Sequence, residues 1–220
     1  MFKSNKKLIS YKTLFQWLVG IVVGCAALFS GAAEAQVYIS LKAKSPIHHI
    51  KEIPAKPIQG WVDFCVREPE ECAVDLSEPS RINLTDETMS LIQRVNKQVN
   101  NTIVQRTDAE IYQTEDLWTL PYNGEGDCED FQLLKRHILV KKGLPARAMR
   151  MTVVVDEKGE GHAVLTILTS QGDYILDNKT DKIVTVGQSP YRFVKRESQM
   201  KVGWISLRHS YNSPETTANR

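Results

Sequence analysis

The chain has 220 residues, of which 42% are hydrophobic and 25% are charged, and its 28 basic and 26 acidic residues leave a formal net charge of +2. This composition fits one globular domain with a hydrophobic core and excludes a disordered or fibrous chain. It also gives no sign of a nucleic-acid partner, since no basic run carries interleaved aromatic residues.

The first 35 residues have the pattern of a secretory signal peptide. Four lysines between positions 3 and 12 precede the apolar run LFQWLVGIVVGCAALFSGAAEA, which ends in the small-x-small pattern of residues 33–35. Two alternatives stay open, because the run is nearly long enough to remain as a membrane anchor and Cys25 lies in a loose lipobox. Each of the three interpretations places the folded domain outside the cytoplasm, which in a bacterium means the periplasm.

Export determines whether the cysteines after position 35 can form a disulfide. Cys65 and Cys72 are close enough in sequence for a disulfide, which an oxidising compartment would permit. A helical path between them would instead hold their Cα atoms too far apart, so both states stay open. Cys128 is left as a free thiol in either case.

The segment before the first predicted helix has little periodicity. Residues 36–60 carry three prolines and are predicted to be an extended entry segment.

A helix is predicted to begin at Thr85, because the acids at 86 and 87 suit the positive end of a helix. Its apolar residues recur at helical spacing and predict a core-facing stripe: Met89, Ile92, Val95, Val99 and Ile103. The polar run VNKQVNN is predicted to face solvent.

A second helix is predicted to follow the loop TLPYNGEG. Asp127 is its predicted N-cap, the helix runs to about Lys142, and Gly143 stops it. Cys128 therefore falls in the first turn of this helix. The predicted inward stripe consists of Phe131, Leu134 and Ile138.

Three β-branched segments come next, ARAMRMTVVVD, GHAVLTILTS and DYILDNKTDKIV. Residues 157–161 and 171–173 separate them and have the composition of hairpin turns. Helices followed by strands predict an α+β domain, in which the cysteine helix packs on an antiparallel β-sheet.

Three side chains could form a nucleophilic site. Cys128 lies at a helix N-terminus, where the helix dipole lowers the pKa of a thiol. His162 opens one predicted strand and Asp177 closes the next, so a tight hairpin brings them together as base and orienting group. Asn178 is a weaker alternative for the orienting role. Each residue alone also has an ordinary structural interpretation, as a packed cysteine, a strand histidine and a turn former.

The ordered segments GDCEDFQLLKRHIL, GHAVL and YILDN resemble the bacterial transglutaminase-like cysteine proteinases, and most closely the LapG-type periplasmic proteases. WVDFC…EC and VNKQVNNTI…DLWTLP are similar to the same family, so the resemblance spans roughly residues 60–195. It implies a papain/transglutaminase-like fold and a triad of Cys128, His162 and Asp177. It further implies cleavage of a large surface adhesin near its N-terminus, which releases the adhesin and disperses the biofilm. Calcium dependence and sequestration by an inner-membrane receptor for cyclic-di-GMP are also implied.

Asp127, Glu129 and Asp130 surround the cysteine, although nearby negative charge disfavours a thiolate. Three oxygen donors at one place suit Ca²⁺, which would cancel this field. The resemblance maps calcium onto the same three residues, and the remaining ligands are not predicted. The alternative is that these acids only cap the helix.

An oxyanion formed during acyl transfer needs hydrogen-bond donors. The backbone N–H of Cys128 is one candidate by position. The indole N–H of Trp118 is a second candidate, although Trp118 equally fits a packing residue or a wall of the cleft.

The sequence thus predicts a periplasmic, calcium-dependent cysteine endopeptidase. The alternatives are a transglutaminase-like acyltransferase with the same triad and a non-catalytic calcium-binding or receptor-binding module. The predicted organisation is a signal peptide (1–35), an extended N-terminal segment (36–59), a cysteine protease domain (60–208) and a polar C-terminal tail (209–220).

Overall fold

The computed structural model of the chain describes residues 53–207. The predicted signal peptide, most of the predicted 36–59 segment and the predicted tail lie outside the described residues. None of the helices in the described range is long and apolar enough to cross a membrane.

The first part of the described chain is mainly helical, and the second part is mainly β-strand. The helices of the described part are α1 (Gln59–Arg67), α2 (Pro69–Cys72), α3 (Asp86–Thr102), α4 (Asp108–Tyr112) and α5 (Cys128–Lys141), with 3₁₀ turns at Ala146–Ala148 and Val186–Gln188. The strands are β1 (Pro54–Ala55), β2 (Val104–Gln105), β3 (Glu125–Gly126), β4 (Met149–Val155), β5 (Gly161–Thr169), β6 (Gly172–Leu176), β7 (Val184–Thr185), β8 (Arg192–Glu197) and β9 (Trp204–Ser206).

Between residues 53 and 207, seven strands form one antiparallel sheet in the order β1-β9-β8-β4-β5-β6-β7. The predicted hairpins are the pairs β4–β5 and β5–β6 at its centre. Strands β2 and β3 form a separate parallel pair. Helices packed on an antiparallel sheet confirm the predicted α+β class. The short strand β1, from the segment predicted to be extended, pairs with β9 at the sheet edge.

Helix α3 begins where the sequence predicts. Thr85 is its N-cap, and the Thr85 side chain accepts a hydrogen bond from the backbone N–H of Thr88 at 3.2 Å. The predicted stripe is buried at Ile92, Val95 and Val99 and half-buried at Met89 and Ile103. The prediction that VNKQVNN faces solvent is wrong for Asn96, which is fully buried and donates to the carbonyl of Asp181.

Helix α5 begins and ends close to its predicted limits, and Gly143 follows it with a φ of 90°. Its predicted stripe is incomplete, because Phe131 is buried whereas Leu134 and Ile138 are only half-buried. The helix packs against α3 as well as β4 and β5, so more of its circumference is covered than one stripe. Its other deeply buried residues include Leu133, Lys135, Arg136 and Leu139.

The sheet separates a large and a small hydrophobic cluster. The large cluster lies between the helices and one face, which includes Leu165 and Leu176. The small cluster lies on the other face and includes Val164 and Ile175, because successive side chains of a strand point to opposite faces.

A disulfide joins Cys65 and Cys72, with Cα atoms 5.5 Å apart. The helical path that would separate them is interrupted, since α1 ends at Arg67 and α2 begins at Pro69. Glu68 between them has non-helical backbone angles (φ −126°, ψ 67°). The break therefore settles the alternative that the sequence left open.

Candidate active site and acidic cluster

Cys128 is the free cysteine of the described residues and occupies the first position of α5. Its sulfur receives a hydrogen bond from the backbone N–H of Ala163 in β5 and donates one to Glu129 Oε2 at 3.2 Å. Burial, and then the Glu129 carboxyl, raise the pKa of the thiol well above its usual value, whereas the Ala163 bond acts the other way. Burial and the Glu129 carboxyl therefore outweigh the lowering of the thiol pKa that the helix N-terminus was expected to cause.

His162 immediately precedes Ala163, and its imidazole is paired with Asp177. The distance from His162 Nε2 to Asp177 Oδ1 is 2.8 Å, and both side chains are buried. The β5–β6 register explains the meeting, because Leu165 pairs with Leu176 and the next residues meet at the open end of the hairpin. The predicted proximity of His162 and Asp177 is thus observed.

The alternative orienting residue, Asn178, points elsewhere. Its side-chain amide donates to Gln105 Oε1 at 3.5 Å, near the protein surface. Asp177, by contrast, carries a negative charge next to the ring. Burial raises the pKa of Asp177, but hydrogen bonds from His162 and Tyr191 outweigh it, so that the pKa lies below its ordinary value.

Tyr191, which was not predicted from the sequence, contacts both His162 and Asp177. Its hydroxyl donates to Asp177 Oδ2 at 2.5 Å, and its ring meets the His162 ring edge-on with centroids 5.6 Å apart. Tyr191 precedes β8 and follows a short 3₁₀ turn. No sequence spacing relates it to β5 or β6, so only the sheet topology could have revealed it.

The acids around Cys128 belong to a larger acidic cluster. Two groups of carboxylates have ligand atoms within 4.8 Å of one another: Asp108, Asp127 and Asp130, and Asp108, Asp116 and Glu129. The structure therefore brings the three predicted residues together and adds Asp108 from α4 and Asp116 from the loop after it. Neither could be predicted from the sequence, because they lie 19 and 11 positions before Asp127 and share no regular spacing with the cysteine helix.

The hydrogen bonds of the acidic cluster leave buried oxygens unused. Among the described residues, Asp108 Oδ1, Asp127 Oδ1 and Asp130 Oδ2 have no hydrogen-bond partner. The remaining oxygens of Asp108 and Asp130 accept backbone N–H groups of Leu117 and Thr119. Unpaired carboxylate oxygens aimed at one place are the donor set that Ca²⁺ prefers.

Electrostatics and close packing agree with a cation at this place. Burial raises the pKa of Asp130 to about 8 and also raises the pKa of Asp108. A side chain at Gly126 would lie within 2.7 Å of Asp130 Oδ2, so glycine is needed for the close approach. Asp127 is the N-cap residue of α5, yet its side chain makes no capping hydrogen bond, which disfavours the purely capping alternative.

Trp118 is almost fully buried, and its indole N–H donates to Asp116 Oδ1 at 2.9 Å. Its ring also meets Trp204 edge-on, with centroids 6.1 Å apart. The N–H is thus already engaged, and the structure supports the packing interpretation of Trp118 over an oxyanion donor. The backbone N–H of Cys128 remains a candidate donor, because the first N–H groups of a helix lack intrahelical partners.

The family model described as bacterial transglutaminase-like cysteine proteinase matches residues 50–212. Solved structures of Legionella pneumophila LapG are also similar to this chain. One is 26% identical, covering 55% of this chain and 70% of that chain with a TM-score of 0.47. The calcium-bound form is 24% identical and covers 60% of this chain and 74% of that chain, with a TM-score of 0.47. The EGTA-treated form is 28% identical and covers 49% of this chain and 62% of that chain, with a TM-score of 0.43. No curated protein sequence matches the chain.

Proposed function

Because the chain belongs to the bacterial transglutaminase-like cysteine proteinase family, we propose that it is a periplasmic, calcium-dependent endopeptidase with the triad Cys128, His162 and Asp177. The observation that carries the triad is the buried His162–Asp177 hydrogen bond of 2.8 Å. It lies at the strand end whose next residue, Ala163, bonds the Cys128 sulfur.

The three residues divide the chemistry of peptide hydrolysis. His162 uses Nε2 for Asp177, which leaves Nδ1 to accept the thiol proton. The Cys128 sulfur then bonds to the carbonyl carbon of the substrate, and the departing amine takes the proton from His162. Water hydrolyses the resulting thioester and regenerates the thiol. The Cys128 backbone N–H donates to the oxyanion formed in each half of the reaction.

Asp108, Asp127 and Asp130 would hold Ca²⁺, with Asp116 and Glu129 as neighbouring donors. Bound there, Ca²⁺ would supply positive charge that offsets these carboxylates and favours the thiolate. Glu129 accepts the hydrogen bond of the Cys128 thiol and so favours the neutral form. Use of this carboxylate as a metal ligand would release the thiol.

The proposed compartment and substrate rest on the sequence. The signal-peptide pattern of residues 1–35 supports export, and the disulfide between Cys65 and Cys72 supports an oxidising compartment. The resemblance to LapG-type proteases supports a large surface adhesin as substrate, cleaved near its N-terminus to disperse a biofilm. The same resemblance supports an inner-membrane cyclic-di-GMP receptor as the sequestering partner.

Cleavage of a purified adhesin N-terminal fragment by the exported protein tests this proposal. The reaction is run with calcium, with a chelator and with the Cys128→Ala variant. Cleavage by the unmodified protein in calcium alone is the expected result. Cleavage by folded Cys128→Ala would overturn the assignment of Cys128 as the nucleophile. Cleavage in the presence of chelator would overturn the proposed calcium dependence. Incorporation of a labelled amine without hydrolysis would overturn the endopeptidase assignment.

A further inference from the structure

Asp177 is fixed at its backbone from the helical side of the domain. Its carbonyl oxygen accepts hydrogen bonds from Lys135 Nζ at 2.9 Å and from Asn100 Nδ2 at 3.0 Å. Lys135 belongs to α5, the helix that begins with Cys128, and Asn100 belongs to α3. These contacts set where the residue lies but leave the rotation of its carboxylate free.

The carboxylate itself has two differently occupied oxygens. Oδ1 accepts from His162 Nε2 at 2.8 Å and from the backbone N–H of Lys179 at 3.1 Å. Oδ2 accepts from Tyr191 Oη at 2.5 Å. Rotation of the carboxylate would therefore have to break the Tyr191 bond as well as the bond to His162.

Tyr191 also contacts the imidazole directly. Its ring meets the His162 ring edge-on, at an interplanar angle of 74°, and packs against the small hydrophobic cluster. Lys179 Nζ lies over the Tyr191 ring, 6.0 Å from its centroid, and is itself paired with Asp156 Oδ2 at 2.7 Å. Tyr191 is thus held in place by its surroundings and contacts both partners of the His–Asp pair.

From these contacts we infer that Tyr191 is a positioning residue for the proposed reaction: its hydroxyl holds Asp177 Oδ1 towards His162 while its ring fixes the imidazole. The inference rests on the proposed function. Tyr191 does not need to touch the substrate, since it acts through Asp177 and His162. Its role is to keep the imidazole in one orientation for the Cys128 thiol.

The Tyr191→Phe variant tests this inference, because it removes the hydroxyl and keeps the ring. Tyr174→Phe is the matched control, since Tyr174 lies on β6, beside the His162 strand β5, and its hydroxyl makes no hydrogen bond within residues 53–207. It packs against the large hydrophobic cluster, whereas Tyr191 packs against the small one. Tyr191→Phe should lower kcat by about tenfold or more and leave KM nearly unchanged. Urea unfolding of both variants checks that the loss does not come from unfolded protein.

A proton NMR spectrum provides a readout that needs no substrate. The His162 Nε2–H proton, bonded to a buried carboxylate, should give a protected downfield resonance in the wild type. Tyr191→Phe should shift or broaden it, and Tyr174→Phe should not. Both variants retain the other titratable groups near the pair: Lys135, Asp156, Glu157, Lys179 and the Cys128 thiol.

An unchanged resonance together with an unchanged kcat in Tyr191→Phe would overturn the inference, as would a rise in KM alone. Failure of the proposed function looks different. In that case the wild type cleaves no adhesin fragment, and the NMR comparison still decides whether Tyr191 orders the His162–Asp177 pair.

Discussion

His162 Nε2 and Asp177 Oδ1 lie 2.8 Å apart in an interior where both side chains are almost inaccessible to solvent. A charged acceptor in this position fixes which imidazole nitrogen carries the proton, and in the proposed reaction it would stabilise the imidazolium. The pair joins the ends of β5 and β6, so its geometry depends on the hairpin rather than on a mobile loop.

Replacing Asp177 by Asn should therefore lower kcat by about 10²- to 10⁴-fold, because the neutral amide stabilises the imidazolium poorly and can select the wrong tautomer. Steady-state cleavage of the adhesin fragment measures the effect. Asn178→Ala is the matched control and should stay within about twofold of the wild type, since Asn178 points away from the ring. Equal losses in both variants would contradict the assignment of Asp177.

Asp108 should be required for calcium binding, although it is distant in sequence from the cysteine helix. Asp108→Asn removes charge from a buried carboxylate that both ligand groups share, and should weaken calcium affinity by at least about tenfold. Titration calorimetry measures the affinity, and the calcium-induced rise in melting temperature should shrink in parallel.

Glu115→Gln is the control for the Asp108 prediction. Glu115 is exposed, lies in the same segment between β2 and β3, and is outside both ligand groups. The calcium affinity of the Glu115→Gln variant should therefore match that of the wild type. If Asp108→Asn bound calcium as tightly as Glu115→Gln, Asp108 would not be a ligand.

Reduction of the disulfide should destabilise the domain by about 2–3 kcal/mol, as expected for a bridge that closes a short loop. Urea unfolding with and without reductant measures this difference. The Cys128→Ala background avoids exchange with the free thiol. A Cys65→Ser/Cys72→Ser variant in that background should be insensitive to reductant. Coincident curves for the protein that retains both cysteines would show that the bridge contributes nothing to stability.

Lys135 should make the stability depend on pH. Burial lowers the pKa of this lysine from 10.5 to about 7, although Asp177 and Asp181 act in the opposite direction. Unfolding therefore takes up a proton between about pH 7 and 10.5, so the free energy of unfolding from this group rises with pH across that window. The rise should be on the order of a few kcal/mol.

Comparison with Lys135→Met isolates this contribution from other titrating groups. Chemical denaturation at several pH values should give a difference between wild type and variant that changes from pH 7 to 10. A constant difference would show that Lys135 remains charged throughout. Asn100 still bonds the Asp177 carbonyl in the variant, which preserves one of the two backbone contacts.

Local patterns were sufficient to predict the helix that begins after Thr85, the start of the cysteine helix and the hairpin that joins His162 to Asp177. Capping, periodicity and turn composition act within a few residues, so the sequence displays them directly. Strands β8 and β9 were not predicted.

The features that could not be predicted from the sequence all depend on contacts between distant segments. Arg136 looks like a surface residue on a helix, yet it is buried because Glu197, 61 positions away, accepts its guanidinium at 2.6 Å. Asp108 and Tyr191 likewise acquire their places only when α4 and the segment before β8 meet other elements. No spacing within the sequence encodes these meetings.

The parallel pair of β2 and β3 has a consequence for how the domain opens. It joins the segment that follows α3 to the segment that precedes α5. Val104 N–H donates to Gly124 O and Arg106 N–H donates to Gly126 O, both at 2.9 Å. The chain between them, which carries Asp108 and Asp116, is thus a closed loop fastened at its base, and Trp118 within it packs on Trp204 of β9. Such a loop can exchange its amide hydrogens as a separate cooperative unit while the sheet stays protected. Calcium would then govern the lifetime of one loop rather than the integrity of the whole fold.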